Sequence, residues 1–134
     1  MRFEIVEADK SNIKDVVRMR NKYHMELATL PIDIHAGVSW LLESALVIRV
    51  ALKDGKVVGA AYVSRHHYGE VTLFTDIKGE GVGSLLLEAI EGAVGDVVLW
   101  AWTPKNNERC QRLFERRGYI ATVGTLYRKE NKCV

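Results

Sequence analysis

The fold of this chain is decided by one stretch of sequence, Lys78-Gly79-Glu80-Gly81-Val82-Gly83-Ser84. A strand-like run, residues 71–77, precedes it, and apolar side chains recur at helical spacing through residues 82–93. Glycine lets backbone approach a ligand closely, and a helix start offers unpaired N–H groups at the positive end of its dipole. The pattern therefore predicts a phosphate cradle. The alternative is a tight strand-to-helix turn that binds nothing.

Composition limits the possible classes of protein. A chain of 134 residues predicts one domain, 1–134, and 48% hydrophobic with 27% charged residues is ordinary for a soluble protein. The net charge of +2 is too small to favour nucleic acid as a partner, and no apolar run is long enough to cross a membrane. The basic cluster Arg109, Arg112, Arg116 and Arg117 follows helical spacing, which favours a solvated helix face over an anion site.

Cysteine usage indicates a reducing compartment. The two cysteines are Cys110 and Cys133, and neither has a neighbour at metal-ligand spacing. We therefore expect no metal, no disulfide framework and a cytoplasmic location. The N-terminus lacks the apolar segment of a signal peptide.

The predicted elements alternate in a way that excludes a doubly wound nucleotide fold. Strands are predicted over residues 2–7, 46–52, 57–63, 71–77 and 97–102, and a last extended segment over 119–129 that breaks near Gly124. Helices are predicted from residue 11 or 12, over 36–44 and over 82–93, and a last helix opens at residues 104–107, capped by Asn106 or Asn107. Asp54-Gly55 predicts a hairpin. The order β-α-α-β-β-β-α-β-α-β predicts an α/β domain with a mixed sheet.

This order, with the glycine loop after the fourth strand, resembles the GNAT superfamily of acetyl-CoA-dependent N-acetyltransferases. The family's loop often reads Arg-Gly-x-Gly-Ile-Gly, and this loop matches it at every glycine, with Lys78 in place of the arginine. Lysine keeps the charge but lacks the planar fork. The family's last helix carries Asn-x-x-Ala-x-x-x-Tyr-x-x-x-Gly-Phe, and the residues at those spacings here are Asn107, Cys110, Phe114, Gly118 and Tyr119.

The resemblance implies a fold in which the fourth and fifth strands diverge and acetyl-CoA enters the gap. Main-chain groups of the fourth strand, here Leu73, Phe74 and Thr75, would bond the pantetheine arm. The loop, including Lys78 and Glu80, would hold the pyrophosphate on the N–H groups of Gly79, Gly81, Val82, Gly83 and Ser84. Asn107 would approach the arm near the thioester, or serve only as a helix cap, with Asn106 as an alternative. No metal is implied.

The implied reaction is direct transfer of acetyl to a primary amine of a small molecule, peptide or protein. Glu70 is the favoured general base, and His66, His67 and Asp76 are its neighbours in sequence. Phe114 stands where many members have a tyrosine general acid, and phenylalanine cannot donate a proton. It would still pack against the acyl or cysteamine portion of the cofactor, or serve only as a core residue. The thiolate would then leave unaided, or Tyr119, Tyr127 or water would protonate it, or catalysis would be weak or absent. The competing function is a catalytically silent acyl-CoA-binding or regulatory module.

The acceptor side is less defined by sequence. In the family the region between the first two helices lines the acceptor site, and it contains Tyr23, His24, Asp33 and His35 here. Trp100 and Trp102 share one strand face, which favours core packing under a helix over a wall of the acceptor pocket. The short segment after Gly118 predicts an open acceptor site. We expect a monomer or homodimer. Dinucleotide binding is disfavoured because Ser84 replaces the third glycine of that motif.

Overall fold

The computed structural model describes residues 3–25, 32–65 and 69–131. The strands are β1 (Glu4–Glu7), β2 (Ala45–Lys53), β3 (Lys56–Ser64), β4 (Glu70–Thr75), β5 (Val97–Trp102), β6 (Ile120–Ala121) and β7 (Leu126–Asn131). The helices are α1 (Ile13–Met25), α2 (Ile34–Ser44), α3 (Val82–Val94) and α4 (Glu108–Arg116).

All seven strands form one mixed sheet in the order β1-β2-β3-β4-β5-β7-β6. Every neighbouring pair is antiparallel except β4 and β5, which are parallel and joined through α3. The Asp54-Gly55 hairpin is confirmed, because both residues have the positive φ angles, 52° and 77°, that such a turn needs.

Two separate cores lie on the two faces of the sheet. Side chains of α3 and α4 pack on one face, where Leu86, Ile90 and Phe114 meet Leu99 of β5. Helices α1 and α2 cover the other face over β1–β4, and among the described residues that second core includes none from β5, β6 or β7. Within the described residues, no helix covers this second face over β5, β6 and β7, beside the place where β4 and β5 meet.

The structure differs from the sequence expectations mainly at element ends. The last extended segment is two strands, because the turn through Gly124, with φ of +59°, folds β7 back on β6. Helix α2 begins at Ile34, two residues earlier than predicted, because Asp33 accepts a hydrogen bond from the Ala36 N–H and caps it. Among the described residues, no helix is long and apolar enough to cross a membrane.

Candidate active site

A gap opens between β4 and β5 two residues after they begin to pair. The parallel ladder contains Glu70 opposite Trp100 and Val71 opposite Ala101, and within the described residues it goes no further. Strand β4 nevertheless continues to Thr75 in full register with β3. One edge of residues 72–75 therefore faces the gap, and the predicted divergence of these two strands is confirmed.

The main-chain groups of β4 that point into this gap can be assigned from the hydrogen-bond alternation of an antiparallel pair. The Asp76 N–H donates to the Val58 carbonyl at 2.8 Å, so even-numbered residues of β4 direct their N–H and C=O groups toward β3. Leu73 and Thr75 then direct theirs toward the gap. The Thr75 carbonyl accepts from the Tyr23 hydroxyl at 2.6 Å. Phe74 instead bonds β3 and stacks its ring on Tyr23.

The glycine loop ends at Gly81, which is the N-cap of α3. Its φ of +83° places it in the left-handed region that favours glycine, and it gives α3 no side-chain cap. The first helical hydrogen bond runs from the Leu85 N–H to the Gly81 carbonyl, so the N–H groups of Val82, Gly83 and Ser84 precede the helical ladder. A Cβ on Gly81 would meet no protein atom within 4 Å, so the space beside the helix start at Gly81 is open. The phosphate cradle itself stays a prediction.

Gly83 has a packing role that its sequence motif does not reveal. A Cβ placed on it would lie 2.7 Å from Cδ2 of Leu113 and 3.6 Å from Cδ2 of Leu73. Glycine at this position therefore allows α4 to approach the first turn of α3 and the open part of β4. This contact holds α4 against the first turn of α3, next to the glycine loop.

Arg109 lies at this site, although the sequence predicted it on a solvated helix face. Its Nη1 lies 3.6 Å from the position that a Cβ on Gly79 would occupy, so the guanidinium stands against the loop. Two of the other arginines of the predicted solvated face have different partners: Arg112 lies 3.8 Å from the Glu108 carboxylate, and Arg117 pairs with the buried Glu91. Helical spacing alone could not separate Arg109 from its neighbours, because the distinction depends on how α4 packs.

Tyr23 and Lys22 of α1 hold the chain where β4 leads into the loop. The Tyr23 hydroxyl lies 2.6 Å from both the Thr75 carbonyl and Asp76 Oδ1, and Lys22 Nζ lies 2.9 Å from the same carboxylate oxygen. Partial burial disfavours the charged Asp76, but the hydrogen bonds from Tyr23 and Lys22 outweigh it and leave the pKa of Asp76 below its usual value. Asp76 is therefore an ionised anchor and a poor proton acceptor.

Asn107 lies at the exposed start of α4, where its side-chain oxygen accepts from the Cys110 N–H at 3.1 Å. Capping is thus the contact that the structure shows for it, and its role near a thioester stays a prediction. The predicted helix start at Asn107 is confirmed.

Phe114 occupies the expected acid position as a core residue, with 2% of its surface exposed. Its ring centroid lies 5.3 Å from that of Tyr119 and 5.7 Å from that of Tyr127. Burial, and after it the nearby Glu91 carboxylate, raises the pKa of Tyr119 well above its usual value, so this phenol stays protonated. Tyr119 and Tyr127 both lie in the core on the side of the sheet that carries α3 and α4, so either could protonate the thiolate only from that side.

Glu70 lies on the opposite face, at the vertex of the gap. It is exposed and stands next to Trp100 in register, and Thr72 follows it on the same face. Thr72 pairs with Tyr62 of β3, and burial raises the pKa of Tyr62 to about 12, against the opposing effect of the Thr72 hydrogen bond.

His66, His67 and Cys133 lie outside the described residues, as does the side chain of His24. Asp33 acts as the cap of α2.

Trp100 and Trp102 do share one face, but the expected helix does not cover them. Trp102 is 58% exposed, and Trp100 is partly covered by the Arg128 guanidinium at 5.7 Å. The expectation of core packing is therefore wrong for Trp102, because α1 and α2 pack on β1–β4 and leave this part of the sheet open.

Among the described residues, no three His, Cys, Asp or Glu side chains are placed to hold a metal ion. Burial raises the pKa of the Cys110 thiol, so it is protonated at neutral pH and is a weak nucleophile.

The sequence matches the model of the acetyltransferase (GNAT) family over residues 15–119. The chain belongs to this family. Its membership confirms the predicted family and the predicted enzyme class, an acetyltransferase. A comparison with curated protein sequences gave no match.

Solved GNAT structures have the same fold over almost the whole chain. A putative acetyltransferase, yncA, from Salmonella typhimurium with its cofactor acetyl-CoA superposes with a TM-score of 0.84 at 18% identity, covering 98% of this chain and 95% of that one. The phosphinothricin acetyltransferase of Sinorhizobium meliloti in complex with acetyl-CoA gives a TM-score of 0.82 at 15% identity, covering 98% and 90%. An N-acetyltransferase from Staphylococcus aureus gives 0.79 at 20%, covering 98% and 100%. The predicted GNAT-like fold class is confirmed.

Proposed function

We propose that this GNAT protein transfers the acetyl group of acetyl-CoA directly to a primary amine. The observation that carries the proposal is the continuity of two features: the open edge of β4 leads without interruption into the glycine loop and the free start of α3. An extended pantetheine arm needs main-chain partners along a strand edge, and a pyrophosphate needs N–H groups at a helix start. The two are adjacent here, in the order in which they occur along coenzyme A.

The donor would lie along the α3 side of the gap. Leu73 and Thr75, rather than Phe74, would offer main-chain groups to the arm, since only theirs point away from β3. The N–H groups of Val82, Gly83 and Ser84 would hold the pyrophosphate, with the Lys78 and Arg109 charges beside it. Glu80 and Gly79 would contribute loop backbone.

The proposed reaction forms one amide bond and breaks one thioester bond. The neutral amine attacks the thioester carbonyl carbon, a C–N bond forms and the C–S bond breaks, and coenzyme A leaves as its thiolate. The Leu73 N–H would stabilise the negative oxygen of the tetrahedral intermediate. One proton leaves the amine nitrogen, directly or through water to Glu70, and the thiolate takes up one proton.

Direct transfer is supported by the state of the described cysteine. A route through an acyl-cysteine would require a thiolate in the gap. Cys110 is partly buried on α4 and its raised pKa keeps it a thiol. A single domain over residues 1–134, active as a monomer or homodimer in the cytoplasm, remains part of our prediction.

The buried Phe114 favours a second candidate, a silent module that binds acyl-CoA without transferring the acyl group. A side chain with no proton to give stands at the family's acid position, enclosed by two aromatic rings. A thiol with a reference pKa of about 8.5 can still leave without an acid, which is why we prefer the enzyme.

One experiment distinguishes the two functions. Purified protein is incubated with acetyl-CoA and a panel of primary amines, and free thiol and the mass of the acetylated product are measured together. The enzyme predicts equal amounts of thiol and acetyl-amine that depend on the amine, and Glu70→Gln should lower the rate with coenzyme A affinity unchanged. Thermal stabilisation by coenzyme A with no product from any amine would support the silent module instead.

A further inference from the structure

The part of the sheet that none of the described helices covers displays exposed apolar side chains beside the gap. We call it the open sheet face and define it by Trp100, Trp102, Ile120, Leu126 and Arg128. Register places them on one side of the sheet, because Trp100 pairs with Arg128, Trp102 with Leu126, and Ile120 with Arg128. Trp102 is 58% exposed and Ile120 is 71% exposed. Exposed apolar side chains grouped on one face beside a gap are candidates for a binding surface.

The open sheet face ends at the position where acetyl would be delivered. Glu70 lies next to Trp100 in register at the last stretch where β4 and β5 still pair, and Trp102 stands at the next position on that face, beyond the point of divergence. The donor would occupy the α3 side of the same gap. A molecule lying on Trp102 would therefore have one end at Glu70 and the gap.

The charges of this surface select the kind of molecule. Arg128 is already engaged, since it stacks on Trp100 and pairs with Glu130 at 3.2 Å. The nearby Thr122 hydroxyl donates to the Leu126 carbonyl. The exposed indole ring of Trp102 and the exposed Glu70 carboxylate remain, and both attract an ammonium group. A peptide backbone would find few donors here, whereas a flat apolar group needs none.

We infer that the open sheet face is the acceptor site and that it binds a small primary amine carried on a flat apolar group. The apolar group lies on Trp102, and the amine reaches Glu70 at the vertex of the gap. This inference rests on the proposed function and names its acceptor. It also assigns Trp102 as a residue that determines acceptor specificity.

The test compares two small amines of similar basicity, 2-phenylethylamine and ethanolamine, in the thiol-release assay. The wild-type protein should prefer 2-phenylethylamine by about tenfold in kcat/KM, as partial burial of one ring predicts. Trp102→Ala should reduce this preference to about threefold or less, by raising the KM for 2-phenylethylamine. Trp102→Phe should keep most of it. Leu42→Ala, which removes a side chain that is 65% exposed on α2, is the matched control and should keep it in full.

The outcomes separate the inference from the function on which it rests. The inference would be overturned if the protein acetylated both amines without preference, or if Trp102→Ala and Leu42→Ala had the same kinetics. Neither result would contradict the proposed function. Sedimentation of the variants is measured in parallel. If the wild-type protein is a dimer and Trp102→Ala dissociates it without changing the amine kinetics, the open sheet face is an interface between two copies of the chain. That result would also overturn the inference. Thiol release with none of the amines would contradict the proposed function itself.

Discussion

Replacing Gly81 by alanine tests the phosphate cradle most directly. Gly81 has φ of +83°, and a Cβ there would meet no protein atom within 4 Å. The cost to the free protein is therefore backbone strain alone, about 1–2 kcal/mol for a side chain in the left-handed region. In a domain of this size that lowers the melting temperature by about 4–7 °C.

The cost to the complex is separate and larger. The added methyl group would stand in the free space before α3, where the pyrophosphate would approach the N–H groups of Val82, Gly83 and Ser84. Losing one charge-assisted hydrogen bond weakens binding by about 1.5–3 kcal/mol. At about 1.4 kcal/mol per tenfold, the Kd for coenzyme A should rise about 10- to 150-fold.

Gly55→Ala provides the matched control. Gly55 has φ of +77° and equally open surroundings, but it lies in the hairpin between β2 and β3. Both variants should melt at lower temperature by similar amounts, and only Gly81→Ala should lose affinity in calorimetric titration with coenzyme A. If the two variants bind coenzyme A within about threefold of each other, the phosphates do not lie at this helix start, and the reasoning fails.

Three further changes test the other parts of the site. Arg109→Ala should weaken coenzyme A binding about five- to tenfold, and more strongly at low salt, as measured by titration at two ionic strengths. Arg112→Ala, at a residue already paired with Glu108, should leave coenzyme A binding unchanged. Leu73→Pro removes an N–H that faces the gap and no bond to β3, so kcat should fall about 100-fold while the protein still melts cooperatively. Tyr23→Phe removes a hydrogen bond that lowers the pKa of Asp76. The resulting loss of unfolding free energy, measured in urea, should be full near pH 7 and disappear as pH falls through the folded pKa of that carboxyl. A loss that does not depend on pH would show that Asp76 is not involved.

The parts of the fold that the sequence predicts correctly depend on short-range signals. Asp54-Gly55 specifies its hairpin because the turn needs two positive φ angles. The helix start at Asn107 follows from a side chain that accepts an N–H three residues later. Each of these signals lies within four residues, so no knowledge of packing is needed.

Packing decides what the sequence leaves ambiguous. Alternation correctly puts Trp100 and Trp102 on one face, yet whether a helix covers that face depends on where α1 and α2 stop, which no local pattern states. Arg109 has the same helical spacing as Arg112, and only the close approach of α4 at Gly83 brings it to the loop. Family resemblance predicts which loop holds the cofactor and could not identify these neighbours.

Phe114→Tyr tests whether proton donation limits the reaction. The ring is 2% exposed and lies among Tyr119, Tyr127 and the core, so a hydroxyl that finds no partner there should destabilise the fold by about 1–3 kcal/mol. A hydroxyl that reaches the leaving sulfur would be hydrogen-bonded and cost less. We therefore expect a gain in kcat only if thermal stability is retained, and Phe114→Leu is the control for packing. A stable Phe114→Tyr variant with unchanged kcat would mean that proton donation from this position does not limit the rate, because the thiolate then leaves unaided or already receives its proton from Tyr119, Tyr127 or water.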